Sequence, residues 1–182
     1  MRELSLNILD IIQNSAAAGA TKIDVGVIVD TGANTLEIRV SDNGSGMSEQ
    51  MVAKALDPFT TTRTTRKVGL GLPLLSQAAQ ISGGYMSIDS KPGAGTAVEA
   101  VFGLNNIDRE PFGDITSTLI TVVAAYPEIA LTYRQSVDGS EFIFDSESLN
   151  KELIDVPIND PIVLKWLRDY IGEGLAKTGT IT

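Results

Sequence analysis

Apolar residues recur along the first third of the chain with two periods in turn. Leu4, Ile8, Ile11 and Ile12, followed by Ser15, fall three or four apart, which places them on one face of a helix over residues 3–18. Gly19 suits the left-handed position that ends such a helix. Ile23, Val25, Val27 and Val29 then alternate with other residues, and Leu36, Ile38 and Val40 alternate with Glu37 and Arg39, the period of strands. Turn chemistry from Thr31 to Asn34 joins the two as a hairpin. Ser48 can cap a short helix through Leu56. Residues 57–67 are rich in Thr and Arg without periodicity and read as a loop. A helix is predicted over 71–81, ended by Gly83-Gly84, with strands at 85–90 and 96–102 on either side of a Lys-Pro-Gly-Ala-Gly turn.

The character changes at Asn105. Residues 105–114 read as a linker, and Asp114 can cap a helix to Ala125, with Pro127 just beyond. Residues 129–134 and 141–145 form a second hairpin around Asp138-Gly139. Asp160-Pro161 is an N-cap followed by an N1 proline, opening a helix that carries Val163, Leu164, Trp166, Leu167 and Ile171. Trp166 and Tyr170 fit either docking on the rest of the fold or a partner surface, with packing the better fit to an apolar helix. The organisation expected is a domain over 1–104 and an acidic α+β extension over 105–182 whose role the residues do not reveal.

Composition narrows the chemistry. Forty-three per cent apolar and 20% charged residues are ordinary for a globular protein of 182 residues. No apolar run approaches the roughly 20 residues of a membrane span, and the polar residues within the first helix argue against a signal peptide, so a cytoplasmic location is the expectation. There is no Cys and no His, which removes disulfides, thiol nucleophiles, imidazole acid–base chemistry and phosphohistidine from these residues. The net charge of −9 opposes nucleic-acid binding. It is also uneven: residues 1–104 carry 8 basic and 10 acidic side chains, and residues 105–182 carry 6 and 13. A phosphate site therefore belongs in the first part.

Three strings in that part carry chemistry. Asp10 and Asn14 lie four apart on one helix face; the amide is a reasonable Mg²⁺ ligand and the carboxylate a reasonable general base, although exposed helix polars share this spacing. Asp42-Asn43-Gly44-Ser45-Gly46-Met47 follows a strand; Asp42 can accept from an exocyclic amine, and Gly44 and Gly46 allow close approach, as they would also in a simple Asx-turn. Val68-Gly69-Leu70-Gly71-Leu72 opens a helix, whose N-terminal N–H groups and dipole suit a phosphate, with Arg63, Arg66 and Lys67 just upstream. Tight turns and a solvated basic loop would leave the same residues.

The series Asn14, DNGSGM, DPFTT, GLGLPL, SGG and KPGAGT, in that order, resembles the ATP site of the GHKL superfamily, the Bergerat-type ATPases, and most closely the catalytic domain of sensor histidine kinases. The resemblance covers about residues 3–103. It implies an α+β two-layer sandwich, a mixed sheet facing helices, with an ATP lid at about 58–70. Carried over, it makes Asn14 the Mg²⁺ ligand and Asp42 the reader of the adenine amine. Gly44, Gly46 and Met47 border the base. Phe59, Arg63 and Lys67 lie in the lid, and Gly69, Leu70, Gly71 and Leu72 lie by the phosphates. Thr96 lies near the adenine, a position that plain sheet filling would also explain.

The chain departs from that pattern at three points. The histidine kinases carry a phosphoacceptor His, absent here, so an acceptor must be another chain or a Ser, Thr or Asp. Asp10 stands where hydrolytic members usually have Glu, one methylene shorter; a displacement of roughly an ångström can cost about 10²-fold in rate. Val68 replaces a small polar residue before the glycines. The expectation is a Mg-ATP-binding domain working with a protein partner, a phosphoacceptor or regulatory complex, with a homodimer left open. Phosphotransfer in trans leads, and a slow ATPase switch with Asp10 as base, or a nucleotide-gated binding module, stands beside it.

Overall fold

The computed structural model describes residues 3–57 and 71–181. Six strands make one sheet: β1 (Lys22–Asp30), β2 (Thr35–Asp42), β3 (Tyr85–Lys91), β4 (Gly95–Gly103), β5 (Ala130–Val137) and β6 (Ser140–Asp145). Their order is β3-β4-β2-β1-β5-β6. The pairs are antiparallel except β1 with β5, which run parallel, so the sheet is mixed. Both predicted hairpins form, β1-β2 and β5-β6, and in each an Asn or Asp adopts a positive φ in the turn, Asn34 and Asp138.

The alternation in β1 decides which face is covered. Ile23, Val25, Val27 and Val29 are buried, while the residues between them are half-buried or exposed. The covering layer is α1 (Leu4–Ala17), α3 (Gly71–Ile81), α4 (Ile115–Ala125) and α6 (Pro161–Thr178), joined at its margins by the short helices α2 (Glu49–Leu56) and α5 (Ser146–Glu152). Leu4, Ile8 and Ile12 of α1, Leu75 and Ala79 of α3, Leu119 of α4, and Leu167 and Ile171 of α6 share one core with the inward strand residues. The other face of the sheet is polar; Arg39 on it pairs with Glu37 and with Glu99, and Tyr85 donates to Glu99.

Residues 105–182 are built into this sandwich. Strand β5 extends the sheet directly beside β1, and Tyr133, fully buried, donates to Gln135 Oε1 at 2.8 Å beneath α6. The segment read as a linker, 105–114, is fastened to α1 instead. Pro111 and Phe112 accept hydrogen bonds from the Leu4 and Ser5 amides, and Asn7 donates to Glu110. This is how α1 is capped, since Glu3 offers no side-chain cap. Phe112 is buried in the core. In α6 the packing residues are Val163, Leu167 and Ile171; Trp166 and Tyr170 stack on each other at 5.2 Å, half exposed. Helix α5 lies where the sequence reading placed no element.

Candidate functional site

The polar residues singled out in the sequence converge at one end of the sheet. β2 ends at Asp42, β4 begins beside it, and the register pairs Asp42 with Thr96 and Thr96 with Ser90. Directly paired residues point to the same face, so these three make a polar row on the helix side, continued by Ile23 of β1. Val40, Val98 and Ile88, two residues along each strand, carry the same face into the core.

Helix α1 forms the wall above that row. Ser15 Oγ donates to Asp42 Oδ2 at 2.6 Å, and the Gly44 amide donates to Asp42 Oδ1 at 2.8 Å. The carboxylate is thus held from both sides and half-buried, with one lone pair on each oxygen left to accept from a ligand. Asn14, half-buried, lies one residue before Ser15, and Asp10 lies one turn earlier and is exposed. Among the described residues neither side chain has a hydrogen-bond or ion-pair partner. The start of α3 approaches the same turn: a Cβ added to Gly71 would lie 3.0 Å from Asp10 Cβ and 3.2 Å from its Oδ2. The N-terminal end of α3 therefore faces Asp10.

The glycine loop closes the third side. Gly46 has φ +65, and a Cβ there would lie 2.0 Å from the Lys91 carbonyl oxygen. Gly95, φ +88, meets the Asp42 carbonyl in the same way. These glycines bring the loop and the β3-β4 turn into contact; Ser45 donates to Ala18 O, and Gly93 donates to Ser45 O. Met47, half-buried against the core, donates its amide to Ser90 Oγ at 2.8 Å. Asn43, inside the motif, faces away: its side chain accepts from the Thr21 and Lys22 amides and donates to Thr21 Oγ1. Leu72 is buried in the core at the start of α3. Phe59, Arg63, Lys67, Gly69 and Leu70, with Arg66 and Val68, lie outside the described residues.

Two residues of the site were missed in the sequence, Ser15 and Ser90. Ser15 had a legible signal: a hydroxyl on the apolar face of a helix needs a buried partner. Ser90 had only its place before the Lys-Pro-Gly-Ala-Gly turn. A separate groove of about 380 Å³, lined among others by Asn34, Gly83, Phe102 and Asn106, opens at the opposite end of β2 and carries no charged side chain.

Residues 1–106 match the model of the histidine kinase-, DNA gyrase B- and HSP90-like ATPase family. The chain belongs to that family. Its α+β sandwich is the family's fold, and these residues are an ATP-binding domain of the histidine kinase-like ATPase type. Among curated relatives, a protein described as a sensor in Shewanella frigidimarina is 33% identical over 109 residues, 59% of this chain and 17% of that protein. The cell-division control histidine kinase PdhS of Brucella abortus is 32% identical over 118 residues, 56% of this chain and 11% of the kinase. The chain thus matches less than a fifth of the length of these relatives. The Aquifex aeolicus MutL ATPase domain complexed with ADP aligns at a TM-score of 0.48 and 17% identity, covering 84% of this chain and 68% of that one, an overlap too loose to bear on function. Among the described residues no helix is long and apolar enough to cross a membrane.

Proposed function

We propose that this domain binds Mg-ATP between α1, the DNGSGM loop and the start of α3, and serves phosphotransfer to a protein partner. The observation that carries the nucleotide reading is Asp42, a half-buried carboxylate fixed by Ser15 and Gly44 with acceptor capacity left over, in a chain that belongs to an ATPase family. Such a group recognises an exocyclic amine at the end of a pocket whose other end is a helix N-terminus.

The residues fit a Mg²⁺ ion brought in with the nucleotide. No cluster of three or more acidic, His or Cys side chains that could hold a metal exists among the described residues. Asn14, half-buried and without a protein partner among the described residues, offers its amide oxygen as a protein ligand, with phosphates and waters filling the octahedron. Bound there, the ion would neutralise phosphate charge. The chain orients the base through Asp42, and α3 directs N–H groups at the far end.

Phosphotransfer in trans is supported by the kinase relatives and by the absence of His from these 182 residues, which puts a phosphohistidine acceptor outside them. A second reading, slow hydrolysis with Asp10 as base, is supported by its position against Gly71 at the phosphate end. The γ-phosphate of labelled Mg-ATP distinguishes them. Free phosphate from the purified chain, lost in Asp42→Asn and in Asp10→Asn, would establish hydrolysis; bound ATP with an intact γ-phosphate would leave transfer to a partner. Unchanged thermal stabilisation of Asp42→Asn by Mg-ATP would sink the pocket itself, since ligand at about 100 times its Kd stabilises by roughly 2.7 kcal/mol.

A further inference from the structure

Exposed apolar side chains gather where α6 meets β6. Ile162, Trp166 and Tyr170 are 80%, 49% and 43% exposed and follow one another four residues apart, so they form one stripe along α6. Trp166 stacks on Tyr170 at 5.2 Å, and Tyr170 lies 5.9 Å from the Phe142 ring of β6. A Cβ on Gly174 would lie 2.0 Å from Phe142 Cε2, so the ring rests against the helix itself.

Strand β6 is also an open edge, the last strand of the sheet among the described residues. Val137 pairs with Ser140 across a two-residue turn in which Asp138 and Gly139 both have positive φ. Such a turn closes on a hydrogen-bonded pair, and bonded and non-bonded pairs then alternate along the ladder. Gln135 with Phe142 and Tyr133 with Phe144 are therefore bonded pairs, and the N–H and C=O groups of Glu141 and Ile143 point away from β5. The middle of β6, Phe142-Ile143-Phe144, has no charge or proline to blunt that edge. At the other margin of the sheet, β3 carries Asp89 and Lys91 and has α2 beside it.

Charge decides what this edge takes. Residues 140–178, from β6 through α6, carry eight acidic and four basic side chains. Asp169 and Glu173 follow Trp166 and Tyr170 by three residues on the exposed side of the helix, without an ion-pair or hydrogen-bond partner among the described residues. A second copy of the chain would set like charge against like charge here. A basic segment meets acids and aromatic faces together, and a Lys or Arg over Trp166 gains a cation–π contact.

We propose that the α6–β6 edge is a docking surface for a basic, extended segment of a partner protein, which adds to the sheet as a seventh strand. Its backbone pairs with Glu141 and Ile143, its basic side chains lie over Trp166 and Tyr170 beside Asp169 and Glu173, and its alternate, apolar side chains lie along Ile143 on the other face. This surface is separate from the nucleotide site at the end of β2, with β1 and β5 between them.

The test is fluorescence anisotropy of a labelled peptide of alternating Arg and Val, as long as β6, titrated with the full chain. Saturable binding is expected, with none for the same peptide carrying Glu in place of Arg. Trp166→Ala is expected to weaken binding by about tenfold or more, as for an aromatic anchor at the centre of an interface. Ile143→Pro removes an outward N–H while leaving the ladder to β5 intact, a place where an edge strand tolerates proline, and should abolish binding. If Ile143→Pro is poorly folded, Asp169→Asn with Glu173→Gln, both exposed, should weaken binding severalfold and reduce its salt dependence. Trp166 is the only tryptophan of the chain, so its emission should shift to the blue as the Arg-Val peptide, unlabelled, covers it. No binding of the Arg-Val peptide, equal binding of the Glu peptide, or full affinity in folded Trp166→Ala overturns the proposal. Full affinity in folded Ile143→Pro overturns strand addition and the proposal with it. Sedimentation equilibrium showing a dimer that Trp166→Ala dissociates would put a second copy on this surface and overturn it too.

Discussion

Ser15 on α1 and Asp42 at the end of β2 are joined by a 2.6 Å hydrogen bond between residues 27 apart in the chain. The bond fixes the carboxylate from the helix side while leaving its remaining lone pairs to the pocket. Ser15→Ala leaves Asp42 held by Gly44 alone. Hydrogen bonds to charged groups are worth about 1.5–3 kcal/mol, so Mg-ATP affinity is expected to fall on the order of tenfold or more. Calorimetric titration of the folded variant checks this; equal affinity would show that Asp42 needs no such support.

Gly46 and Gly95 combine a positive φ with carbonyl oxygens at about the place a Cβ would occupy. Gly46→Ala is expected to destabilise by more than about 1 kcal/mol, because alanine is strained at such a φ and the Lys91 carbonyl must move. For a chain of this size each kcal/mol lowers Tm by about 2–4 °C, which thermal unfolding resolves. Gly19→Ala, with positive φ but open space around it, isolates the conformational part of that effect.

Phe112 lies in the segment that reads as a linker yet is buried in the core. Phe112→Ala should cost about 3–5 kcal/mol, as for a buried aromatic. A loss within about 0.5 kcal/mol, the usual effect of a surface position, would mean that the segment does not hold α1 in solution.

Tyr133 donates to Gln135 inside the fold, and burial raises the phenol above its ordinary pKa, keeping it protonated. Tyr133→Phe leaves the amide oxygen of Gln135 without its donor and is expected to cost about 1–3 kcal/mol in denaturant unfolding. Simultaneous Gln135→Leu should recover part of that loss, and its failure to do so would indicate that shape rather than the unpaired oxygen dominates.

Three carboxylates share a pH signature. The Ser117 hydroxyl and amide lower Asp114, the Thr31 amide and hydroxyl lower Asp138, and the Ser148 amide first among several donors lowers Asp145. A folded pKa below the unfolded value of about 3.9 contributes stability above that value and loses it as pH falls through the folded one. Unfolding free energy is therefore expected to drop as pH is lowered below about 4. Asp138→Asn should flatten that acid limb; an unaltered slope would remove Asp138 from the account.

The sequence revealed local pattern well and pairing poorly. The alternation of Ile23 to Val29 and of Leu36 to Val40 located β1, β2 and their covered face, because one buried face enforces a period of two. The glycine motifs located the loop and helix start for the same reason: their geometry is local. Nothing local says that residues 130–137 lie parallel to β1, since that choice is made by packing across more than a hundred residues. Helix α5 was missed because its apolar signal is one Leu amid polar residues; Asp145 closes a strand and caps the helix at once. Asn43 shows the converse, a polar residue inside a binding motif that serves the strand ends.

The parallel pairing of β1 with β5 also governs how the molecule comes into being. β1 leaves the ribosome before β5 and can pair with β2 across a short turn, but its other edge stays open until residue 137 has been made. Until then the nascent chain exposes a row of unsatisfied amides and carbonyls beside Ile23, Val25, Val27 and Val29, the kind of edge that recruits other strands. Such long-range closure slows folding, so the finished ATPase domain waits for residues that lie beyond its own motifs.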